Sequence, residues 1–342
     1  MNQNKPKILL VGGGTMGSVS PLLAVAQKFE AEYLFVCSPN GPEKKIIEES
    51  GIPFVTLDTG KWRRYFSWQN FVDLFKSKIS FWKSLGIIRQ FKPDIVLTAG
   101  SFVSVPVAFA AWFFRIPVIV HQQDIVVGLA NKLMAPLAKK ITVTFPEQQN
   151  SFRQKNKIIV TGNPVRELSS SVNIEKIILI TGGGLGARGL NDFIKQFIPY
   201  LTKYYPVHHI LGQENWEQRI VVDNYFPHQF VTSEMLDLLS RAELVIARAG
   251  MQTITEASCL AKPLIVIPMP NSHQEANAIF LAKHNAAYLV KQGQHQIMER
   301  YLEKLLNEPD LRAGLGNNLH QLFPDKAVDN YIKFIHDLII KN

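Results

Sequence analysis

The chain has 342 residues, 46% of them hydrophobic and 19% charged, enough for two domains that each bury a core, which excludes a disordered or fibrous protein. Its two cysteines, Cys37 and Cys259, stand in unrelated contexts and exclude a disulfide framework and a zinc site. The net charge of +9 is one-sided, with 20 Lys and Arg against 10 Asp and Glu in residues 1–165 and 17 against 18 in the rest, so an anionic partner is expected for the first half only, and no nucleic-acid-binding motif accompanies it.

Residues 1–7 are a short polar lead without a hydrophobic signal region. Ile8-Leu9-Leu10-Val11 then runs into Gly12-Gly13-Gly14-Thr15-Met16-Gly17, which reads as strand, tight turn and helix. Glycine admits positive φ there and lets backbone N–H groups approach an oxyanion. A second strand is expected at 33–36, and the stretch 61–89 after it stands apart. Trp68, Phe71, Phe75, Ile79 and Trp82 form one apolar stripe on a helix, amid Lys61, Arg63, Arg64, Lys76, Lys78, Lys83 and Arg89. That pattern suits either a helix packed on the core or an interfacial helix on anionic lipid, and Trp112-Phe113-Phe114-Arg115 extends the second reading.

Strands follow at 95–97, 118–120 and 141–144. The long apolar stretch 102–120 is interrupted by Pro106, Arg115 and Pro117 and reads as a helix plus a strand, not a membrane span, while the sparse cysteines suit a cytoplasmic chain. Thr161-Gly162-Asn163-Pro164-Val165-Arg166 is a hinge of turn formers, which places a boundary near residue 164 and domains at 1–163 and 164–342. The second half repeats the first, with Ile177-Ile178-Leu179-Ile180-Thr181 leading into Gly182-Gly183-Gly184-Leu185-Gly186 and strands at 208–211, 244–246 and 264–267. The last stretch, 327–340, has apolar residues at helical spacing, suited to packing back on the first domain. The expected fold is α/β, two Rossmann-like domains with doubly wound parallel sheets facing a cleft, with ligands at the carboxyl ends of the strands.

Gly12-x-Gly14-x-x-Gly17 matches the dinucleotide fingerprint, but that use needs an acid at the end of the second strand to hold a ribose. The residues there are Cys37-Ser38-Pro39-Asn40, and the nicotinamide or flavin reading fails. More specific is Ala242-Glu243-Leu244-Val245-Ile246-Ala247-Arg248-Ala249-Gly250-Met251-Gln252-Thr253-Ile254-Thr255-Glu256. A strand enters a small-residue turn, and a helix starting near Met251 offers N–H groups to a diphosphate, with Thr253 as hydroxyl donor. Glu256 either accepts hydrogen bonds from ribose hydroxyls near that end or serves as a capping or solvent-facing residue.

In order and spacing these segments resemble the MurG family, lipid-linked N-acetylglucosaminyltransferases of peptidoglycan synthesis with the GT-B fold. The resemblance runs through Gly13-Gly14-Thr15, Gly17 and Pro21; Lys92-Pro93-Asp94 with Gly100 and Phe102-Val103-Ser104; His121 and Gln123; Gly128-Leu129 with Asn131-Lys132; Gly162-Asn163-Pro164-Val165-Arg166; Gly186-Ala187-Arg188; the segment to Glu256; and His273-Gln274 with Asn277-Ala278. It implies transfer of N-acetylglucosamine from its UDP donor to the C4 hydroxyl of the muramoyl sugar of lipid I, with inversion. It places Glu256 on the ribose, Met251, Gln252 and Thr253 on the diphosphate, Gln274 and Asn277 on the sugar, Arg166 at the hinge, and Thr232 and Met235 near the uracil. The Gly13–Gly17 loop, including Thr15, Met16 and Gly17, takes the acceptor's diphosphate, and the aromatic and basic stripe docks on the cytoplasmic face of the membrane. Neither a metal nor a cofactor is expected, since the chain has no Asp-x-Asp and helix dipoles with Arg166 can stabilise leaving UDP.

Five departures from the family pattern stand out. Ser18 replaces the usual histidine after the loop, Gln122 and Asp124 replace a glutamate and an asparagine, Gly184 replaces a serine of the donor loop, and Phe102 replaces a tyrosine. A serine hydroxyl cannot act as a base near neutral pH. Proton abstraction is therefore expected of Asp124 or of His121. Two other readings keep the fold: a UDP-sugar transferase with a different lipid or glycoside acceptor, and a catalytically silent UDP-sugar-binding homologue.

Overall fold

The computed structural model describes residues 5–41, 43–59, 68–166, 175–183, 186–231, 234–324 and 326–340, with only the backbone of 68–77 and of 340. Gly184, Thr232, the basic residues at 61–64 and the side chains of Trp68, Phe71, Phe75 and Lys76 lie outside what is described. Two compact units result: Met1–Gln123, Val127–Arg166 and Pro324–Asn342 form the first, and Asp124–Val126 and Glu167–Phe323 the second.

The strands of the first unit are β1 (Lys7–Val11), β2 (Glu32–Cys37), β3 (Phe54–Thr56), β4 (Ile95–Thr98), β5 (Val118–Gln122), β6 (Lys140–Val143) and β7 (Ile158–Val160). They form one parallel sheet in the order β3-β2-β1-β4-β5-β6-β7. Alternation along each strand divides the core between the two faces. Leu9, Val11, Val96 and Val120 point to one side and Ile8, Leu10, Leu97 and Ile119 to the other. The helices are α1 (Ser20–Lys28), α2 (Glu43–Glu49), α3 (Trp68–Phe91), α4 (Ser104–Phe113) and α5 (Leu129–Met134). Ile88 of α3, Val107 of α4 and Met134 of α5 cover the first face, and Leu22 of α1 and Ile47 of α2 the second.

The second unit holds β8 (Ile177–Thr181), β9 (Val207–Ile210), β10 (Tyr225–His228), β11 (Ala242–Ala247), β12 (Leu264–Val266) and β13 (Tyr288–Leu289), again all parallel, in the order β10-β9-β8-β11-β12-β13. Its helices are α6 (Arg188–Ile194), α7 (Ile198–Leu201), α8 (Glu234–Arg241), α9 (Met251–Cys259), α10 (His273–Lys283), α11 (His295–Asn307) and α12 (Pro309–Leu322). The final helix, α13 (Ala327–Ile340), belongs to the first unit, where Tyr331 and Ile335 are buried beside Ile8 and Leu10. Gly162, at φ +80°, lies so close to α13 that a Cβ there would sit 2.9 Å from that of Ala327.

Both sheets reverse strand order at one point, between β1 and β4 and between β8 and β11, where doubly wound folds bind ligands. The turns after those four strands are where function is expected.

Helix α3 packs in an unexpected sense. Its inward residues include Ser80 and Ser84, both fully buried, with the Ser80 hydroxyl donating to the Asp58 carbonyl at 2.5 Å and that of Ser84 to the Ser80 carbonyl at 2.7 Å. Ile79 and Trp82, on the described part of the apolar stripe, are instead 57% and 71% exposed. Of the two readings offered by the sequence, packing of that stripe on the core does not hold for these residues.

Candidate functional site

In the second unit β11 ends at Ala247, and Arg248 turns inward, its Nη1 donating to the carbonyls of Ile267 and Pro268 at 2.9 Å each. That guanidinium ties the end of β11 to the end of β12 and so fixes the turn before α9. Gly250 is the N-cap of α9, in extended conformation, and no side chain caps the helix. The first N–H groups of α9, at Met251, Gln252 and Thr253, therefore lack intrahelical partners and carry the positive end of the helix dipole, a ready site for a diphosphate.

Helical side chains lean toward the N-terminus, which brings Glu256, one turn into α9, back toward that end. Its carboxylate is almost buried and accepts from Gln252 Nε2 at 2.9 Å. Gln274 follows the Ser272 cap of α10, its N–H donating to Ser272 Oγ at 3.2 Å while its Oε1 accepts from the Met269 N–H at 3.0 Å. Met235 lies half-buried at the start of α8.

Asp124, although it follows β5, groups with the second unit. Its Oδ1 accepts from Asn277 Nδ2 at 2.9 Å, and its Oδ2 lies 3.8 Å from His273 Nε2. Asn277 is buried; its second Nδ2 donor goes to the Ala249 carbonyl at 3.0 Å, and its Oδ1 accepts from the Ile125 N–H at 3.0 Å. With both amide donors occupied, Asn277, expected to contact the sugar, bridges Asp124 to the turn before α9. His273 is a residue to which the sequence reading gave no role: half exposed, it brings an imidazole beside the one carboxylate expected to act as base.

The turn after β1 differs from expectation. The Gly12 N–H donates to the Val36 carbonyl at 3.1 Å, the Gly13 N–H to Ser18 Oγ at 3.0 Å and the Gly14 N–H to Glu43 Oε1 at 2.8 Å. All three glycine donors are thus satisfied internally, and only the part of the loop at Thr15, Met16 and Gly17 is left for a ligand. Gln123 Nε2 also holds this turn, donating to the Gly17 carbonyl at 2.8 Å. Ser18 is buried, with its proton facing the carbonyls of Gly13 and Thr15 at 3.1 and 3.0 Å, which makes it part of the framework of the turn.

His121 requires a correction of the same kind. It is fully buried, with Nδ1 at 3.0 Å from Thr142 Oγ1 and Nε2 at 2.9 Å from Asn163 Oδ1, and its ring meets that of Tyr331 edge-on at 5.8 Å. Burial pushes its pKa down to about 4, against the opposing effect of the Asn163 and Thr142 hydrogen bonds. Both nitrogens are engaged and the ring has no exposed surface, an arrangement that opposes a role as proton acceptor. Arg166 stays half-buried at the end of the first unit.

Among the described residues, no three His, Cys, Asp or Glu side chains converge in a way that could hold a metal ion. No helix among them is long and apolar enough to cross a membrane.

Residues 8–143 match the glycosyltransferase family 28 N-terminal domain and residues 177–322 the family 28 C-terminal domain. A relative from Clostridium kluyveri, the UDP-N-acetylglucosamine--N-acetylmuramyl-(pentapeptide) pyrophosphoryl-undecaprenol N-acetylglucosamine transferase, is 36% identical over 309 residues, covering 86% of each chain. One of the same name from Clostridium botulinum (strain Loch Maree / Type A3) is 35% identical over 98% of this chain and 99% of its own. The crystal structure of Acinetobacter baumannii MurG superposes with a TM-score of 0.75 at 25% identity, covering 97% of this chain and 99% of that one. A UDP-GlcNAc 2-epimerase from Neisseria meningitidis, bound to UDP-GlcNAc, shares the fold at a TM-score of 0.71 and 16% identity, over 98% of this chain and 100% of that one. The chain belongs to the MurG family, within glycosyltransferase family 28 and with the GT-B fold.

Proposed function

We infer that the chain carries out the reaction its relatives' names describe, moving N-acetylglucosamine from UDP-N-acetylglucosamine to the undecaprenyl-diphosphate-linked muramoyl peptide, lipid I. The observation that carries this reading is the uncapped start of α9 with the buried Glu256 carboxylate leaning toward it. The diphosphate lies on the N–H groups at Met251–Thr253 with the Thr253 hydroxyl, the ribose on Glu256, the sugar against Gln274, and the uracil near Met235. Thr15, Met16 and Gly17 hold the acceptor's diphosphate.

Asp124 takes the proton of the C4 hydroxyl as its oxygen attacks the anomeric carbon from the face opposite UDP, which inverts that centre. As the new C1–O4 bond forms, the C1–O bond to UDP breaks and its electron pair stays on the β-phosphate. The α9 dipole stabilises that charge, and neither a metal nor a cofactor belongs to this reading.

The lipid acceptor requires a membrane surface, and the first unit exposes apolar side chains suited to one. Ile79 and Trp82 on α3 and Phe109, Trp112, Phe113 and Phe114 at α4 are all exposed, with Lys78, Lys83 and Arg115 also on the surface. This combination supports peripheral docking on anionic lipid at the cytoplasmic face, in service of the wall synthesis on which cell shape and division depend. Replacing Trp82 and Trp112 with serine is expected to abolish flotation with anionic vesicles and leave turnover of a soluble acceptor unchanged.

Transfer of labelled N-acetylglucosamine to a short-chain lipid I analogue, with and without a chelator, tests the reaction itself. Glu256→Ala is expected to raise the donor KM about 10- to 100-fold, the loss of a charge-assisted hydrogen bond. Donor binding without transfer to this acceptor would move the assignment to another acceptor or to a silent homologue.

A further inference from the structure

The turn after β1 is held by a carboxylate to which the proposed reaction gives no role. Glu43, the first residue of α2, is fully buried. Its Oε1 accepts from the Gly14 N–H at 2.8 Å and from the Ser38 N–H at 3.3 Å, joining the turn after β1 to the segment after β2. Its Oε2 is buried without a hydrogen-bond partner among the described residues. A buried carboxylate so sparsely bonded is costly, and the dipole of the helix that it begins offsets only part of that cost. The surrounding chain is shaped around it. A Cβ on Gly13 would come within 2.9 Å of Oε1, and one on Gly41 within about 2 Å of the whole carboxylate.

In a dinucleotide site the acid after the second strand faces a ribose. Here the acid arrives six residues beyond Cys37 and takes a glycine N–H of the turn itself. It is an internal carboxylate that accepts from a backbone N–H of the kind that a ligand phosphate engages in other glycine-rich turns. With Gly14 pinned at φ +80° by Glu43, and the Gly17 carbonyl held by Gln123, the intervening Thr15-Met16 segment has a defined geometry before any ligand arrives.

We propose that Glu43 is a positioning residue for acceptor binding: its carboxylate fixes the turn so that Thr15, Met16 and Gly17 meet the acceptor's diphosphate preorganised. This inference rests on the acceptor reading given under Proposed function.

The test measures acceptor and donor KM separately for the full chain, using the lipid I analogue and UDP-N-acetylglucosamine. Glu43→Met keeps the volume and removes the hydrogen-bond acceptor. It is expected to raise the acceptor KM about tenfold while leaving the donor KM unchanged. Glu43→Gln retains an oxygen for both N–H groups and is expected to restore the acceptor KM to within about threefold of wild type. A merely structural role would lower the melting temperature without splitting the two KM values, and that result overturns the proposal. So does a fall in acceptor KM in either variant, which would mean that the buried charge opposes the diphosphate.

If Glu43→Met does not fold, exchange of the Gly14 amide in glycine-labelled wild-type protein decides. Protection that persists when the analogue binds supports the proposal; exchange as fast as in an open loop, or protection lost on binding, overturns it. A wild type that turns over donor with a different acceptor only would defeat the lipid I reading, and the Gly14 exchange would still judge Glu43.

Discussion

Two of the switch-point turns of this chain, those after β1 and β11, use their backbone donors in opposite ways. After β1, three successive glycines give their N–H groups to Val36, Ser18 and Glu43, all within the first unit. After β11, a turn with only one glycine leads into α9 with no side chain on its first donors. The second glycine-rich turn, after β8, resembles the first: the Gly183 N–H donates to Thr181 Oγ1 at 3.1 Å, and a Cβ on Gly186 would lie 2.0 Å from the Leu211 carbonyl oxygen. Glycine density in this fold therefore marks where backbone segments approach closely. Helix donors without a side-chain cap lie instead where a strand hands over to α9.

The largest effect is expected where the second unit gathers its polar groups. Asp124→Asn removes the proton acceptor but preserves the Asn277 hydrogen bond in one amide orientation, so kcat is expected to fall about 10²- to 10⁴-fold with the donor KM little changed. A variant with normal turnover would abandon Asp124 as base. His273→Gln, measured over a range of pH, then tells whether the imidazole 3.8 Å away contributes to the acidic limb.

A pair of alanine substitutions tests the contrast between the turns. A Cβ on Gly12 would sit 2.4 Å from the Ser18 carbonyl oxygen, a backbone atom that cannot move aside cheaply. Gly12→Ala is expected to cost about 1–3 kcal/mol of stability. Gly250 has φ −77° and open space around its Cβ position, so Gly250→Ala should melt within about 0.5 kcal/mol of wild type and keep its donor KM. Equal losses in the two variants would erase the distinction between a packed and an open turn.

Each unit also buries a neutral histidine. His121 in the first has a pKa pushed down to about 4, and His209 in the second to about 3, burial being the leading cause in both. His209 hydrogen-bonds Tyr225 Oη at 3.0 Å and Asn191 Oδ1 at 3.1 Å. Since each folded value lies below the unfolded value of 6.5, the unfolded chain takes up the proton first as the pH falls. The stabilisation is complete above pH 6.5 and is lost progressively down to about pH 4 for His121 and about pH 3 for His209. At about pH 5 each unit should have lost about 2 kcal/mol, read separately by hydrogen exchange on peptides from β5 and β9. A unit whose exchange is flat over this range does not depend on its buried imidazole.

The sequence exposed the interior of both sheets and missed their rims. The nine inner strands coincide with the apolar runs expected of them, whereas β3, β7, β10 and β13 were not anticipated, and each is the outermost strand of its sheet. An edge strand is short and half-exposed, so it lacks the continuous apolar run that marks a doubly covered strand; β10 even contains Pro227, tolerated only at an edge. The start of α9 was legible because strand, small turn and helix are contiguous in the chain. The hydrogen-bond partners of Asn277, His121 and Glu43 were not, because each is remote in sequence: Asp124, Asn163 and Gly14. An acid opening a short helix after the second strand is the signal for Glu43 in the sequence, three residues beyond Asn40.

The smallest effect concerns Ser18, where the family usually has a histidine. Its hydroxyl accepts from the Gly13 N–H inside a buried turn, so Ser18→Ala leaves that donor without its partner at a cost of about 1 kcal/mol, seen as a slightly lower melting temperature. Because the hydroxyl touches only the loop's own backbone, kcat should stay within about twofold of wild type, a difference too small for a lost catalytic group. A hundredfold fall in kcat with the melting temperature unchanged would instead return Ser18 to the chemistry, and would mean that the turn after β1 does more than shape the acceptor side.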